Sequence, residues 1–215
     1  MRIKENINLI CSDIPKSVVL VAISKTKPNK LIMKAYNSGH RIFGENKIQE
    51  MVGKWESLPK DIEWHMVGHV QRNKVKYMAP FVSLIHGVDS LRLLIEINKQ
   101  AKKNNRIIDC LLQFHIAKEE TKHGFDDVEF DLAFNKSKTL ENISIKGLMG
   151  MATFTKNHSL IDSEFKVLKS KFDIYKTKND KFNILSMGMS GDYKTAINNG
   201  STMIRVGSKI FGERS

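Results

Sequence analysis

Apolar residues along the chain form short continuous runs, separated by longer stretches in which they recur every three or four positions. The runs are rich in Val, Ile and Leu, and read as strands buried on both faces. They lie at residues 18–24, 41–43, 62–67, 81–86, 107–115, 143–149, 183–187 and 203–206. The intervening periodicity predicts helices over residues 29–38, 47–58, 73–78, 91–104, 127–138, 160–177 and 193–198. In "SLRLLIEINKQAKK", for example, Leu91, Leu94, Ile95 and Asn98 recur at spacings of three and four, which predicts one buried stripe.

Regular alternation of strand and helix implies parallel strands joined by crossover helices, an α/β fold. Eight strands in one chain point to a single (β/α)8 TIM barrel, with an open doubly wound sheet as the other solution. No linker rich in Pro, Gly or Ser divides the chain, so residues 1–215 are expected to form one domain. The barrel carries a rule about chemistry: active groups belong at the C-terminal ends of the strands and in the loops that follow.

Composition narrows the choice of function. The formal net charge of +12 raises the question of nucleic acid, but the basic residues are scattered through segments such as "NKQAKKNNR" and "KSKFDIYKTKNDK" among Asn, Ser and acids. That pattern suits solvated helix faces, and nucleic-acid binding is not expected. No apolar run approaches the length of a membrane span, and the N-terminus lacks the core of a signal peptide. Cys11 and Cys110 follow no ligand spacing, which favours a reducing, cytoplasmic setting.

The first strand, "VVLVAI", runs directly into Lys25. An ammonium ion desolvated beside apolar side chains is penalised, and a neutral amine in such a place is a nucleophile suited to Schiff-base chemistry. The plainer alternative is a lysine whose stem covers the strand end while its head reaches water. Near the other end, "LSMGMSGDYKTAINNGSTMIRVGSKIFGER" holds two short glycine-containing turns. Gly188, Ser190 and Gly191 precede one helix, and Gly207 and Ser208 follow the eighth strand. Backbone N–H groups at helix starts, a hydroxyl and a close-approaching glycine hold phosphates, although such residues also simply make tight turns. Arg205 stands two residues before Gly207, at an inward position of the eighth strand. A ligand ring nitrogen or phosphate would satisfy it, as would a carboxylate such as Asp89 or Glu45. His65 and His69 have a spacing open to metal, but no carboxylate or cysteine accompanies them and Gly68 interrupts a helix, so no metal is expected. His65 is expected to point into the barrel mouth.

Lysine, phosphate cradle and arginine together describe a site for pyridoxal 5′-phosphate. The motifs "AISKTKP", "FGENKIQE", "EWHMVGHVQRNK", "KGLMGM", "LSMGMSGDY" and "STMIRVGSKIFGER" run in that order through almost the whole chain. With them the chain closely resembles the pyridoxal phosphate homeostasis protein family, whose barrel is shared with the N-terminal domain of alanine racemase. The resemblance implies that Lys25 holds the cofactor covalently, as an internal aldimine, and that Arg205 faces the pyridine nitrogen. It implies further that Ser190, Gly207 and Ser208 cradle the phosphate and that Asn46 lines the pocket. His65, at the mouth, and Met187, closing the seventh strand, complete the candidate cofactor-binding set.

Three functions from different classes compete: a non-catalytic carrier of pyridoxal phosphate, a cofactor-dependent racemase-like enzyme, and a Schiff-base enzyme acting on a phosphorylated sugar. The third lacks an assignable proton shuttle beside Lys25. The second needs a further acid/base opposite Lys25, which alanine racemase draws from an added β domain across a dimer interface. A chain ending at Ser215, just past the last barrel helix, is not expected to supply it. The expected protein is a monomer that takes part in intracellular pyridoxal phosphate homeostasis, with apo-enzymes that use the cofactor as possible acceptors.

Overall fold

Each apolar run pairs in parallel with the next, and the eighth returns to the first, so the computed structural model is a closed barrel. It describes residues 2–117 and 123–213. The strands are β1 (Val19–Ile23), β2 (Ile42–Glu45), β3 (Glu63–Met66), β4 (Leu84–Val88), β5 (Ile108–Gln113), β6 (Ile143–Met149), β7 (Ile184–Ser186) and β8 (Met203–Val206). The helices are α1 (Ile3–Asp13), α2 (Asn29–Tyr36), α3 (Ile48–Ser57), α4 (Val75–Met78), α5 (Leu91–Lys103), α6 (Asp127–Ser137), α7 (His158–Lys176), α8 (Tyr193–Asn198) and α9 (Ser208–Phe211). The TIM barrel expected from the alternation is therefore the fold, and the open sheet is excluded.

Strand side chains alternate, which divides the apolar residues into two cores. One fills the barrel and is built on Val21, Leu84, Leu111, Met149 and Met203. The other, larger core lies between sheet and helices and takes in Phe43, Trp64, Leu148 and Leu185 from the outward strand positions. None of the described helices is long and apolar enough to cross a membrane.

Several boundaries differ from the sequence pattern for physical reasons. β4 starts at Leu84 rather than residue 81 because the N–H groups of Phe81 and Val82 still donate to Met78 O in the turn that closes α4, and Phe81 stacks on Trp55 with ring centroids 4.4 Å apart. β5 stops at Gln113; Phe114 N still donates to Met149 O at 2.9 Å, and the residue then forms an isolated bridge with Phe125. Residues 72–74 form a 3-10 turn ahead of the single α turn of α4. The buried face of α5 is Leu93, Leu94, Ile97, Gln100 and Ala101, so the stripe expected on Leu91, Leu94, Ile95 and Asn98 is rotated, leaving Ile95 exposed. The first turns of that helix are apolar almost all round, and the spacing alone does not select a face. Helices α1 and α9 lie outside the seven expected. α1 packs Ile3, Ile7 and Ile10 inward, and its Asn6 amide donates to Ile210 O in α9 at 3.0 Å.

Candidate functional site

Lys25 leaves β1 at the position that continues the inward series Val19, Val21 and Ile23, and it is half-buried. The turn that carries it is fixed on both sides. Lys27 N donates to Ser24 O at 3.0 Å, and Thr26 has φ of +64°, a costly conformation for a β-branched residue. Glu50 compensates: its Oε1 accepts from Thr26 N at 2.6 Å. On the outer side of the sheet, Ser24 Oγ donates to Glu45 Oε1 at 2.5 Å, and buried Lys54 donates to Ser24 O, Glu45 Oε1 and Glu50 Oε1 at 2.7–2.8 Å. Burial pushes the Glu45 carboxyl up, against the opposing pull of Lys54. A charged network thus clamps the residues flanking Lys25 while leaving Lys25 itself on the barrel side.

The two glycine turns meet beside this lysine. β8 pairs with β1 through Ala22 and Val206, and a Cβ built on Gly207 would stand 3.2 Å from Ile23 O, two residues before Lys25. Gly207 N donates to Ser190 Oγ at 3.3 Å, which joins the turn after β8 to the turn after β7. The backbone N–H groups of Ser190, Gly191 and Ser208 have no acceptor among the described residues. Donors, hydroxyl and close-approaching glycine therefore converge at the starts of α8 and α9, an arrangement that fits a phosphate group.

Arg205 is buried in the barrel mouth at the inward position of β8. Its Nη1 donates to Ser186 O at 2.8 Å and Ser186 Oγ at 2.6 Å, and its Nη2 donates to Gly150 O at 2.9 Å. Its partners are thus a hydroxyl and two carbonyls, not Asp89 or Glu45. Three of the five guanidinium N–H groups are engaged among the described residues, which leaves two for a ligand. Burial lowers the guanidinium to about 10, so it stays charged at neutral pH.

From Ser186 the hydrogen bonds continue inward. His86 Nδ1 lies 3.0 Å from Ser186 Oγ, and His86 Nε2 lies 3.1 Å from His65 Nδ1. Arginine only donates, so Ser186 O–H is free to donate to His86 Nδ1, and His86 Nε2–H then donates to His65 Nδ1. Burial pushes His65 down to about 3 and His86 well below the usual histidine range. Both imidazoles are neutral, and the chain Arg205–Ser186–His86–His65 holds one positive charge, on the arginine.

The structure thus gathers Lys25, Ser190, Arg205, Gly207 and Ser208 at the ends of β1, β7 and β8, with His65 reaching the same interior. Asn46 follows Glu45 at the next inward position of β2. Met187 differs: it is fully buried in the outer core, so only its backbone lies at the strand end. Ser186, His86 and Lys54 escaped the sequence reading as contributors to this region, and Glu45, considered there only as a partner for Arg205, instead pairs with Lys54 and Ser24. A histidine inside "SLIHGV" and a serine inside "NILSMG" were the available signals.

The chain is a closed parallel barrel with Lys25, Arg205 and two glycine turns at its C-terminal mouth, and comparison with known proteins defines its class. All of residues 1–215 match the family model described as alanine racemase, N-terminal domain. The pyridoxal phosphate homeostasis protein of Aquifex aeolicus is 39% identical over 197 residues, covering 91% of this chain and 86% of the relative. That of Vibrio alginolyticus is 35% identical over 210 residues, covering 95% and 90%. Among solved structures, PipY of Synechococcus elongatus with pyridoxal phosphate bound is similar at a TM-score of 0.90 and 31% identity, covering 98% of this chain and all (100%) of that one. Alanine racemase of Clostridium difficile, at 14% identity and a TM-score of 0.76, covers 99% of this chain and 56% of its own, and shares the fold. The chain belongs to the pyridoxal phosphate homeostasis protein family.

Proposed function

We propose that this chain binds pyridoxal 5′-phosphate covalently on Lys25 and takes part in controlling the cofactor's intracellular level, without catalytic turnover of its own. The observation that carries the reading is the bond from Gly207 N to Ser190 Oγ, which assembles one anion cradle beside the strand end that bears Lys25. Ser190, Gly207 and Ser208 hold the phosphate, and Asn46 and His65 line the pocket. Arg205, anchored by Ser186 and Gly150, presents its remaining donors to the pyridine nitrogen. When bound, the cofactor supplies an aldehyde and an electron-accepting ring, and a permanent cation at the ring nitrogen keeps that nitrogen unprotonated.

The racemase-like alternative needs a proton acceptor poised near neutral pH. His65, held at about 3, is too weak a base for that role, and His86 lies deeper still. Every residue of the site comes from one barrel, consistent with a monomer of one domain spanning residues 1–215. The two free cysteines suit a cytoplasmic protein, and apo-enzymes are the natural acceptors of the cofactor.

Absorption spectroscopy of the purified protein, followed by borohydride reduction and peptide mapping, tests the reading. The expected result is a reduced pyridoxyl label on Lys25 that disappears in Lys25→Ala, with no α-deuterium exchange of L- or D-amino acids at enzymatic rates. A label retained on another lysine would remove Lys25 from its role. Exchange at several turnovers per second, abolished by Lys25→Ala, would make the protein an enzyme (typical rates are roughly 1–10³ per second).

A further inference from the structure

The loops on the other side of the mouth bring together three metal-ligating side chains that lie far apart in sequence. His69 follows β3, Asp89 follows β4, and His123 precedes α6. His69 Nδ1 lies 2.7 Å from Asp89 Oδ2, and His123 Nδ1 lies 3.9 Å from the same oxygen. The imidazole rings are stacked, with centroids 4.0 Å apart, and one ligand atom from each of the three residues falls within 4.8 Å of the other two. His65, four residues before His69, takes no part in this cluster: it points into the barrel and contacts His86.

We propose that His69, Asp89 and His123 form a binding site for a first-row divalent metal ion, with Zn2+ as the representative. Two imidazoles and one carboxylate are a donor set that such ions favour. Zinc bonds of about 2.0–2.2 Å arranged tetrahedrally separate donor atoms by roughly 3.3–3.5 Å. The observed separations bracket that spacing, but the two rings are nearly parallel, so an ion entering between the donors must turn His123 out of the stack to bring both in-plane lone pairs onto it, and opens the His69–Asp89 hydrogen bond.

The donors are held from behind. Buried Gln113 donates from Nε2 to His123 O at 2.6 Å. The backbone beside His69 is locked as well: a Cβ on Gly68 would stand 2.5 Å from Asn46 O, so only glycine permits this approach. The side chains of His69 and His123 are 46% and 57% exposed, against 9% for Asp89, which leaves an entry path and an open coordination position for water or an exogenous donor. The packing of Gly68 on Asn46 sets this site against the wall of the cofactor pocket, but its ligands are independent of that pocket.

Isothermal titration of the chelator-treated full chain with Zn2+, paired with the visible spectrum of the Co2+ form, tests the site. The expected result is one ion per chain at micromolar or tighter affinity, weakened at least tenfold in His69→Ala, His123→Ala and Asp89→Asn. Cys11→Ser, which removes the exposed thiol, should leave binding unchanged. Absence of saturable binding, affinity unaffected by all three ligand substitutions, or loss of binding in Cys11→Ser would each overturn the proposal. Because the two histidines are exposed, their substitution leaves the cores intact, and circular dichroism of each variant verifies this.

Discussion

At the residue scale, the candidate site rests on a few hydrogen bonds whose removal has a calculable effect. Ser190 Oγ accepts from Gly207 N, and among the described residues its own O–H has no acceptor, which leaves it for the proposed phosphate. Ser190→Ala is expected to weaken cofactor retention by about 0.5–1.5 kcal/mol for one ordinary hydrogen bond, rising to roughly 3 where the bond is charge-assisted. Titration of the variant and the wild type with pyridoxal phosphate and with pyridoxal checks this, and equal affinity for the two ligands would remove the cradle. Lys25, Arg205 and Gly207 were legible as candidates because each stands at or next to the end of an apolar strand, where a charge or a glycine has little packing role, and Ser190 because it sits between Gly188 and Gly191 in a turn ahead of a helix. Their supports were not. The His86–Ser186 contact joins residues 100 positions apart, and the Lys54 clamp joins α3 to the turn after β1 across 30. Such pairings exist only once the barrel closes. Asp89 and His123 were hidden from His69 in the same way.

At the element scale, all eight strands were visible as apolar runs, because strands buried on both faces leave little room for polar residues. What the pattern lacked was register. Between β5 and β6 the pairing shifts by one residue, with Cys110 opposite Ile145 but Leu111 opposite Gly147. Gly147 takes φ of +153°, and a Cβ there would stand 1.7 Å from Ile184 O in β7. Gly147→Ala therefore combines backbone strain with a collision against a neighbouring strand, and is expected to destabilise the fold on the order of 3 kcal/mol. Urea unfolding reads the shift, and a midpoint unchanged from wild type would show that β6 and β7 can part without cost. The helices were less legible than the strands. α1 and α9 are short or lie at the chain's ends, and the near-uniform apolar start of α5 concealed which face it buries.

At the scale of the whole molecule, the polar thread through the barrel makes stability depend on pH. His65 is held at about 3 and His86 well below its usual range, while the unfolded chain takes up protons near 6.5. The folded state refuses those protons, so the stability contributed by keeping the rings neutral is full above about pH 6.5 and is lost as pH falls towards 3. At about pH 5 the loss for His65 alone is on the order of 2 kcal/mol. Glu45, whose carboxyl burial pushes up, acts in the opposite sense, because its protonation favours the folded state as pH falls. Comparing urea midpoints at neutral and acidic pH for wild type and His65→Gln isolates the imidazole contribution, and identical pH profiles would show that the ring carries none of it. The closure of β8 onto β1 has a temporal meaning as well. Lys25 leaves the ribosome some 180 residues before Arg205 and Gly207, so a nascent chain carries the proposed aldimine lysine long before the residues proposed to hold the phosphate. On the proposed function, capture therefore waits until β8 has docked on β1, and a loaded barrel reports that its sheet has closed.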